Sequence, residues 1–225
     1  MNEVGTIRFQ DRADGGRRLA ELFKGRELRD PLILAIPRGG VATGLALARA
    51  LGADLDVVMS RKLRAPFQPE YAIGAISEDG RVTLNPDAAA AGASEDYLEE
   101  EKRHQLGEIA RRKKLFRAAR PAAPIAGRSV IVTDDGIATG STMIAALQSV
   151  RAQQPYELIM AVPVAPPERL ERMRQLCDEV VCLLAPEDFY AVGQFYEEFE
   201  TVEDGEVVRM LREASFVGKP GAGRK

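Results

Sequence analysis

Two adjacent carboxylates, Asp134 and Asp135, follow the apolar run Val130-Ile131-Val132-Thr133 and precede Gly136-Ile137-Ala138-Thr139-Gly140-Ser141-Thr142. The run reads as a strand buried on both faces, and open α/β sheets place ligands beyond the carboxyl ends of such strands. The small and hydroxylated residues behind it open a helix. Unpaired N–H groups at a helix N-terminus, the helix dipole and the hydroxyls of Thr139, Ser141 and Thr142 make a phosphomonoester site. Gly140 lets the backbone approach the phosphate. The acids would repel that phosphate, but they can accept hydrogen bonds from two vicinal hydroxyls, so the segment suits a ribose 5-phosphate. Without them it would read as a capped helix and nothing more. It is no Walker loop, since no Gly-Lys-Ser/Thr follows the strand, and the acids adjoin rather than alternate as in aspartyl-phosphate phosphatases.

Two other segments bear on the same chemistry. Pro37-Arg38-Gly39-Gly40 joins a strand to a helix. Its glycines permit consecutive N–H groups to face one concavity, and Arg38 can bind phosphate oxygens bidentately. Alone it is also an ordinary strand–helix connection. Pro186-Glu187-Asp188-Phe189-Tyr190-Ala191-Val192-Gly193-Gln194-Phe195-Tyr196-Glu197 concentrates aromatics in a chain that has 6% of them. It reads either as a lid over the core or as a planar-ligand site in which Tyr190 stacks on a ring.

The elements that must position these residues alternate. Strands are expected at 32–36, 56–60, 129–133, 157–162 and 179–184, with helices at 41–51, 142–150 and 168–177. That order implies α/β architecture, an open twisted, mostly parallel sheet with helices on both faces. The middle differs. From about 64 to 121 the chain offers a hairpin (71–76, a turn at Glu78-Asp79-Gly80, then 81–84) and a long polar helix capped by Ser94. Glu99 precedes Arg103 by one turn, and Arg111, Arg112, Lys113, Lys114 and Arg117 crowd the second half. This helix is either a solvated, ion-paired rod or part of a flap whose cations meet an anionic ligand. The tail from 216 to 225 is expected to fray. His104, the lone histidine, is expected to face solvent and is given no role.

The 225 residues suit one domain with an insertion, and a net charge of −3 gives no reason to expect DNA or an acidic membrane as partner. No apolar run is long enough to span a membrane, and Met1-Asn2-Glu3-Val4 lacks the pattern of a signal peptide. Cys177 and Cys182 lack metal-ligand spacing and read as buried thiols in a reducing cytoplasm.

The stretch from Val130 to Thr142 resembles the signature of type I phosphoribosyltransferases, which bind phosphoribosyl pyrophosphate (PRPP). Gly136 departs from it, that position being more usually aliphatic. Over nearly the whole chain, the Pro-Arg-Gly-Gly turn, the flap and the Phe-Tyr-Ala-Val-Gly segment are similar to a bacterial subfamily mostly without an assigned substrate, some members of which are fused to hydrolase domains. The resemblance implies that Asp134 and Asp135 hold the ribose hydroxyls and that Ala138, Thr139, Gly140, Ser141 and Thr142 bind the 5-phosphate. Arg38, Gly39 and Gly40 match the pyrophosphate loop, where a strained or cis peptide is often found. Lys62, beside Arg61 at the expected end of the second strand, is a candidate pyrophosphate ligand or else a solvated strand end. By likeness to the hood of hypoxanthine-guanine phosphoribosyltransferases, Tyr190 and Val192 flank the base and Glu197 fills the acid's role, which leans toward a purine-like acceptor. Mg²⁺ is expected mainly through PRPP, with water-mediated contact to Asp134 and Asp135. A homodimer is the family expectation, as is a place in nucleotide metabolism. The implied reaction moves the phosphoribosyl group to a nitrogen and releases pyrophosphate. Some proteins of this fold instead bind PRPP or nucleotides as regulators and transfer nothing, and that alternative stands beside it.

Overall fold

Ser, Asp and Gly punctuate the chain where its elements begin and end. In the computed structural model, which describes residues 8–68, 71–85 and 88–214, Asp11 caps the first helix by accepting from the N–H of Asp14 (2.6 Å). In chain order the elements are α1 (Arg12–Glu21), β1 (Leu32–Ala35), α2 (Gly40–Leu51), β2 (Asp54–Val57), β3 (Ser60–Arg64), β4 (Ala72–Ser77), β5 (Val82–Leu84), α3 (Glu95–Ala119), β6 (Ser129–Thr133), α4 (Ser141–Arg151), β7 (Glu157–Val164), α5 (Pro167–Met173), β8 (Glu179–Leu184) and α6 (Asp204–Ala214).

Five strands pair in parallel in the order β2-β1-β6-β7-β8, with Leu32 opposite both Asp54 and Val130. Alternation along each strand divides the core. Ile33, Ala35, Leu55 and Ile131 pack with α1, α2 and α6 through Leu19, Leu47 and Leu211. Leu32, Leu34, Val130 and Val132 pack with α4 and α5 through Leu147, Leu170 and Met173. Helices therefore cover both faces, as the alternating apolar runs require.

A second sheet, antiparallel in the order β3-β4-β5, stands beyond the end of β2. Here one expectation is corrected. The run 56–60 is not a single strand: β2 ends at Val57, and Ser60 already begins β3, where Arg61 pairs with Ile76 and Leu63 with Gly74. Arg61 and Lys62 accordingly lie in the second sheet and do not end a parallel strand.

The long helix α3 begins on Ser94, which accepts from the N–H of Tyr97 (3.2 Å). It buries Glu101, Gln105, Ile109 and Phe116, a single stripe. Lys102, not Arg103, pairs with Glu99. Its basic half meets protein carboxylates: Arg111 and Arg112 approach Asp204 on α6 (3.3 and 3.6 Å), and Arg117 donates to the buried Asp56 (2.5 Å). His104 is exposed. Cys177 is buried but Cys182 only half-buried, because it lies within β8, the strand at the sheet's edge. Among the described residues no helix is long and apolar enough to cross a membrane. The expected frayed tail and the leading four residues lie outside the described part.

Candidate active site at the carboxyl edge of the sheet

β1 and β6 are neighbours, so the loops that follow them converge. The N–H of Ile36 donates to the carbonyl of Thr133 (2.9 Å), which sets Pro37-Arg38-Gly39-Gly40 directly over Asp134 and Asp135. Two glycines are needed for that approach. A Cβ on Gly39 would stand 2.0 Å from Asp135 Oδ2, and one on Gly40 would stand 2.7 Å from Asp134 Oδ1. The Pro37–Arg38 peptide is cis. The Arg38 side chain turns toward the residue just before α6, where its Nη1 donates to Glu203 Oε2 (3.0 Å).

The two acids have different surroundings. Asp134 Oδ1 accepts from the N–H of Asp135 (2.8 Å). Burial and the charge of Asp135 push the Asp134 carboxyl well above the usual carboxylate range. Burial raises Asp135 as well, but there the Arg12 guanidinium opposes it. Arg12 Nε donates to Asp135 Oδ2 (2.7 Å), and the carbonyl of Asp135 accepts from the Tyr196 hydroxyl (2.5 Å). Burial also raises the Tyr196 phenol strongly.

A cavity of about 180 Å³ opens beside this pair, bounded by Asp134, the 136–140 loop, Thr142, Met143 and Val192. Gly140 takes the left-handed conformation (φ 84°) that turns the loop into α4, and no side chain caps the helix there. The first-turn N–H groups of α4 have no intrahelical partner, and Thr142 and Met143 of that turn line the cavity. Ala138 and Thr139 are exposed, and Ser141 and Thr142 half-buried. Ser60 Oγ on β3 donates to the Thr142 carbonyl (3.0 Å), tying the second sheet to the loop's helix. Lys62 lies two residues further along the same strand and so on the same face as Ser60.

The structure thus brings together Asp134, Ala138, Thr139, Gly140, Thr142 and Val192 around one cavity; Gly39 and Gly40 pack on the acid pair, and Ser141 is outside the cavity lining. It does not bring Tyr190 or Glu197 to that wall. Tyr190 is 89% exposed, and Glu197 is exposed with its N–H on the carbonyl of Phe9 (2.9 Å). Val192 fills the room that an aliphatic residue 136 would need, for a Cβ on Gly136 would lie 2.6 Å from Val192 Cγ1.

Arg12, Tyr196 and Phe199 were not foreseen. Arg12 is separated from Asp135 by 123 residues, and no spacing signals that contact. Asp11 followed by Asp14 does mark a helix start, and so would have flagged Arg12 as a first-turn residue.

Comparison with known proteins bears on the family and the fold. The family model described as "Phosphoribosyl transferase domain" matches residues 10–200. A Mycobacterium tuberculosis H37Rv protein provisionally described as a phosphoribosyl transferase is 43% identical over 210 residues, 92% of this chain. The chain spans about half the length of the curated relatives it matches, 47% in that case. The crystal structure of TT1426 from Thermus thermophilus superposes with a TM-score of 0.81 at 43% identity, covering 92% of this chain and 99% of that one. The AQ2163 protein from Aquifex aeolicus, at 13% identity and a TM-score of 0.50 over 81% of this chain and 76% of that one, shares the fold. By the extent of the family match and of its 43%-identical relatives, this chain belongs to the phosphoribosyl transferase domain family.

Proposed function

We propose that this domain transfers the 5-phosphoribosyl group of PRPP to a nitrogen nucleophile, a purine-like base being the favoured class, and releases pyrophosphate. One observation carries the reading. The Asp134 carboxylate and the uncapped N-terminus of α4 line the same cavity, one suited to ribose hydroxyls and the other to a 5-phosphate.

In this reaction the C1–O bond to pyrophosphate breaks, a C1–N bond forms, and the nitrogen gives up its proton. Positive charge develops on the sugar ring, as in glycoside cleavage. The 138–142 loop and Asp134 fix the sugar, so that the anomeric carbon is held between acceptor and leaving group. The backbone of Arg38, Gly39 and Gly40 supplies dipoles to the departing pyrophosphate, with Arg38 and Lys62 as its cationic partners. Asp135, whose Oδ2 is held by Arg12, backs the pair from outside the cavity lining, and the proton of the nitrogen leaves to solvent. The antiparallel sheet, anchored to α4 through Ser60 and Thr142, acts as a flap that excludes water from the cation. Val192 and the neighbouring aromatics form an apolar wall for a planar acceptor.

A Mg²⁺ ion fits this donor set only in part. Among the described residues no three or more His, Cys, Asp or Glu side chains cluster, and Arg12 already engages one oxygen of Asp135. Diphosphate oxygens and water would have to complete the shell, with Asp134 nearest. When bound, the ion neutralises charge on the leaving group.

The test is pyrophosphate release from PRPP and Mg²⁺ with each of a panel of nucleobases and other amines. Acceptor-dependent release supports transfer. Tight PRPP binding with no release for any acceptor would turn the reading toward a ligand-binding regulator of the same fold.

A further inference from the structure

The Asp134–Asp135 pair is asymmetric, and the asymmetry is built by a residue from the other end of the chain. Arg12 is 11% exposed and makes three contacts at once. Its Nε donates to Asp135 Oδ2 (2.7 Å), its Nη1 donates to the carbonyl of Glu200 (2.8 Å), and its guanidinium lies over the Phe199 ring (3.8 Å). Phe199 stacks on Tyr196 (5.0 Å between centroids), whose hydroxyl bonds the carbonyl of Asp135. The loop thus closes on itself: acid pair, Arg12, Phe199, Tyr196, acid pair. Asp134 is tied to this loop through the N–H of Asp135, which donates to its Oδ1, and it lines the cavity, whereas Asp135 does not.

We propose that Arg12 is a positioning residue that clamps Asp135 and couples the 185–200 hood to the ligand cavity, leaving Asp134 as the carboxylate that meets the sugar. A planar guanidinium is the group suited to this, because it can donate in its plane to two oxygens while its face rests on an aromatic ring. The hood also leans on the residues just before Arg12: the N–H groups of Glu197 and Glu198 donate to the carbonyls of Phe9 and Gln10 (both 2.9 Å). A ligand that draws the acid pair into place therefore tightens the start of α1 and the hood together. The assignment of Asp134 to the sugar rests on the PRPP reading, whereas the clamp itself does not.

Hydrogen exchange at Tyr196, Glu197 and Glu198, with PRPP and Mg²⁺ as the probe, tests both parts. In ligand-free protein, Arg12→Met should speed exchange at these amides by about tenfold or more, and Phe199→Leu should do the same if Arg12→Met fails to fold. Arg12→Lys keeps the charge but not the plane, and should fall between the wild type and Arg12→Met. Asp134→Asn should leave these amides unchanged yet raise the Kd for PRPP about tenfold or more, while Arg12→Met raises it less. PRPP should slow the hood amides of the wild type but not those of Arg12→Met at saturation. Unchanged exchange in both clamp variants, or equal slowing by PRPP with and without Arg12, would overturn the clamp. Absence of PRPP binding to the wild type would overturn the PRPP reading and leave the ligand-free comparison as the test of the clamp.

Discussion

Gly39 approaches Asp135 so closely that a Cβ at residue 39 would stand 2.0 Å from the carboxylate oxygen that Arg12 holds. The turn after β1 and the acids after β6 are thus one construction. Gly39→Ala should force the turn off the acid pair and destabilise the protein by about 1–3 kcal/mol. In a chain of this length the melting temperature should drop by about 2–4 °C per kcal/mol, with loss of any shift produced by PRPP. A variant that melts and binds like the wild type would contradict this packing.

Asp134→Asn should raise the melting temperature of the ligand-free protein while weakening PRPP binding. The raised Asp134 carboxyl takes up a proton more readily folded than unfolded, so its contribution to stability is present at low pH and is lost as pH rises through the folded value. Ligand-free stability should accordingly gain from this group on acidification from neutrality, in a range above that of ordinary carboxylates. PRPP affinity should fall over the same range. Asn at residue 134 should flatten both dependences, and parallel curves for the two proteins would count against the carboxylate's role. Melting curves across pH, with and without PRPP, supply the comparison.

Arg38 is drawn aside by Glu203 in a pair whose side chains are 32% and 66% exposed, so the pair contributes little to stability, about 0–1 kcal/mol. Arg38→Ala should barely move the melting temperature but should raise the inhibition constant for pyrophosphate about tenfold. Equal inhibition of both proteins would remove Arg38 from the leaving-group site.

Most of the sheet was legible because strands buried on both faces are written as continuous apolar runs, as at 129–133 and 157–162. The phosphate-type loop was legible because it is contiguous. Two things were not. The break between Val57 and Ser60 was hidden because Val58 and Met59 are as apolar as the strand itself, and it is the pairing of Ser60 with Ser77 on β4 that shows the chain has changed sheets. The role of Arg12 was hidden because it depends on the fold bringing α1 and the hood to the same acid. The basic half of α3 supported two readings in the sequence. Three of its arginines meet Asp56 and Asp204, which makes it a strut against β2 and α6.

That strut carries its own prediction. Asp56 is 2% exposed and accepts from Arg117 Nη1 and the N–H of Ala123 (2.5 and 2.8 Å). Arg117→Met would leave a buried carboxylate without its cation and should cost about 3–5 kcal/mol. Asp56→Asn in the same chain should restore part of it, which chemical denaturation of the single and double variants can measure.

The central claim is that the acid pair and the 138–142 loop bind PRPP. Titration calorimetry of PRPP in the presence and absence of Mg²⁺, on the wild type and on the folded Asp134→Asn/Asp135→Asn double variant, tests it most directly. Mg²⁺-dependent binding to the wild type is expected, with affinity lost in the double variant while its fold is retained. Equal affinity in the two proteins, or no binding by the wild type at millimolar PRPP, would contradict it.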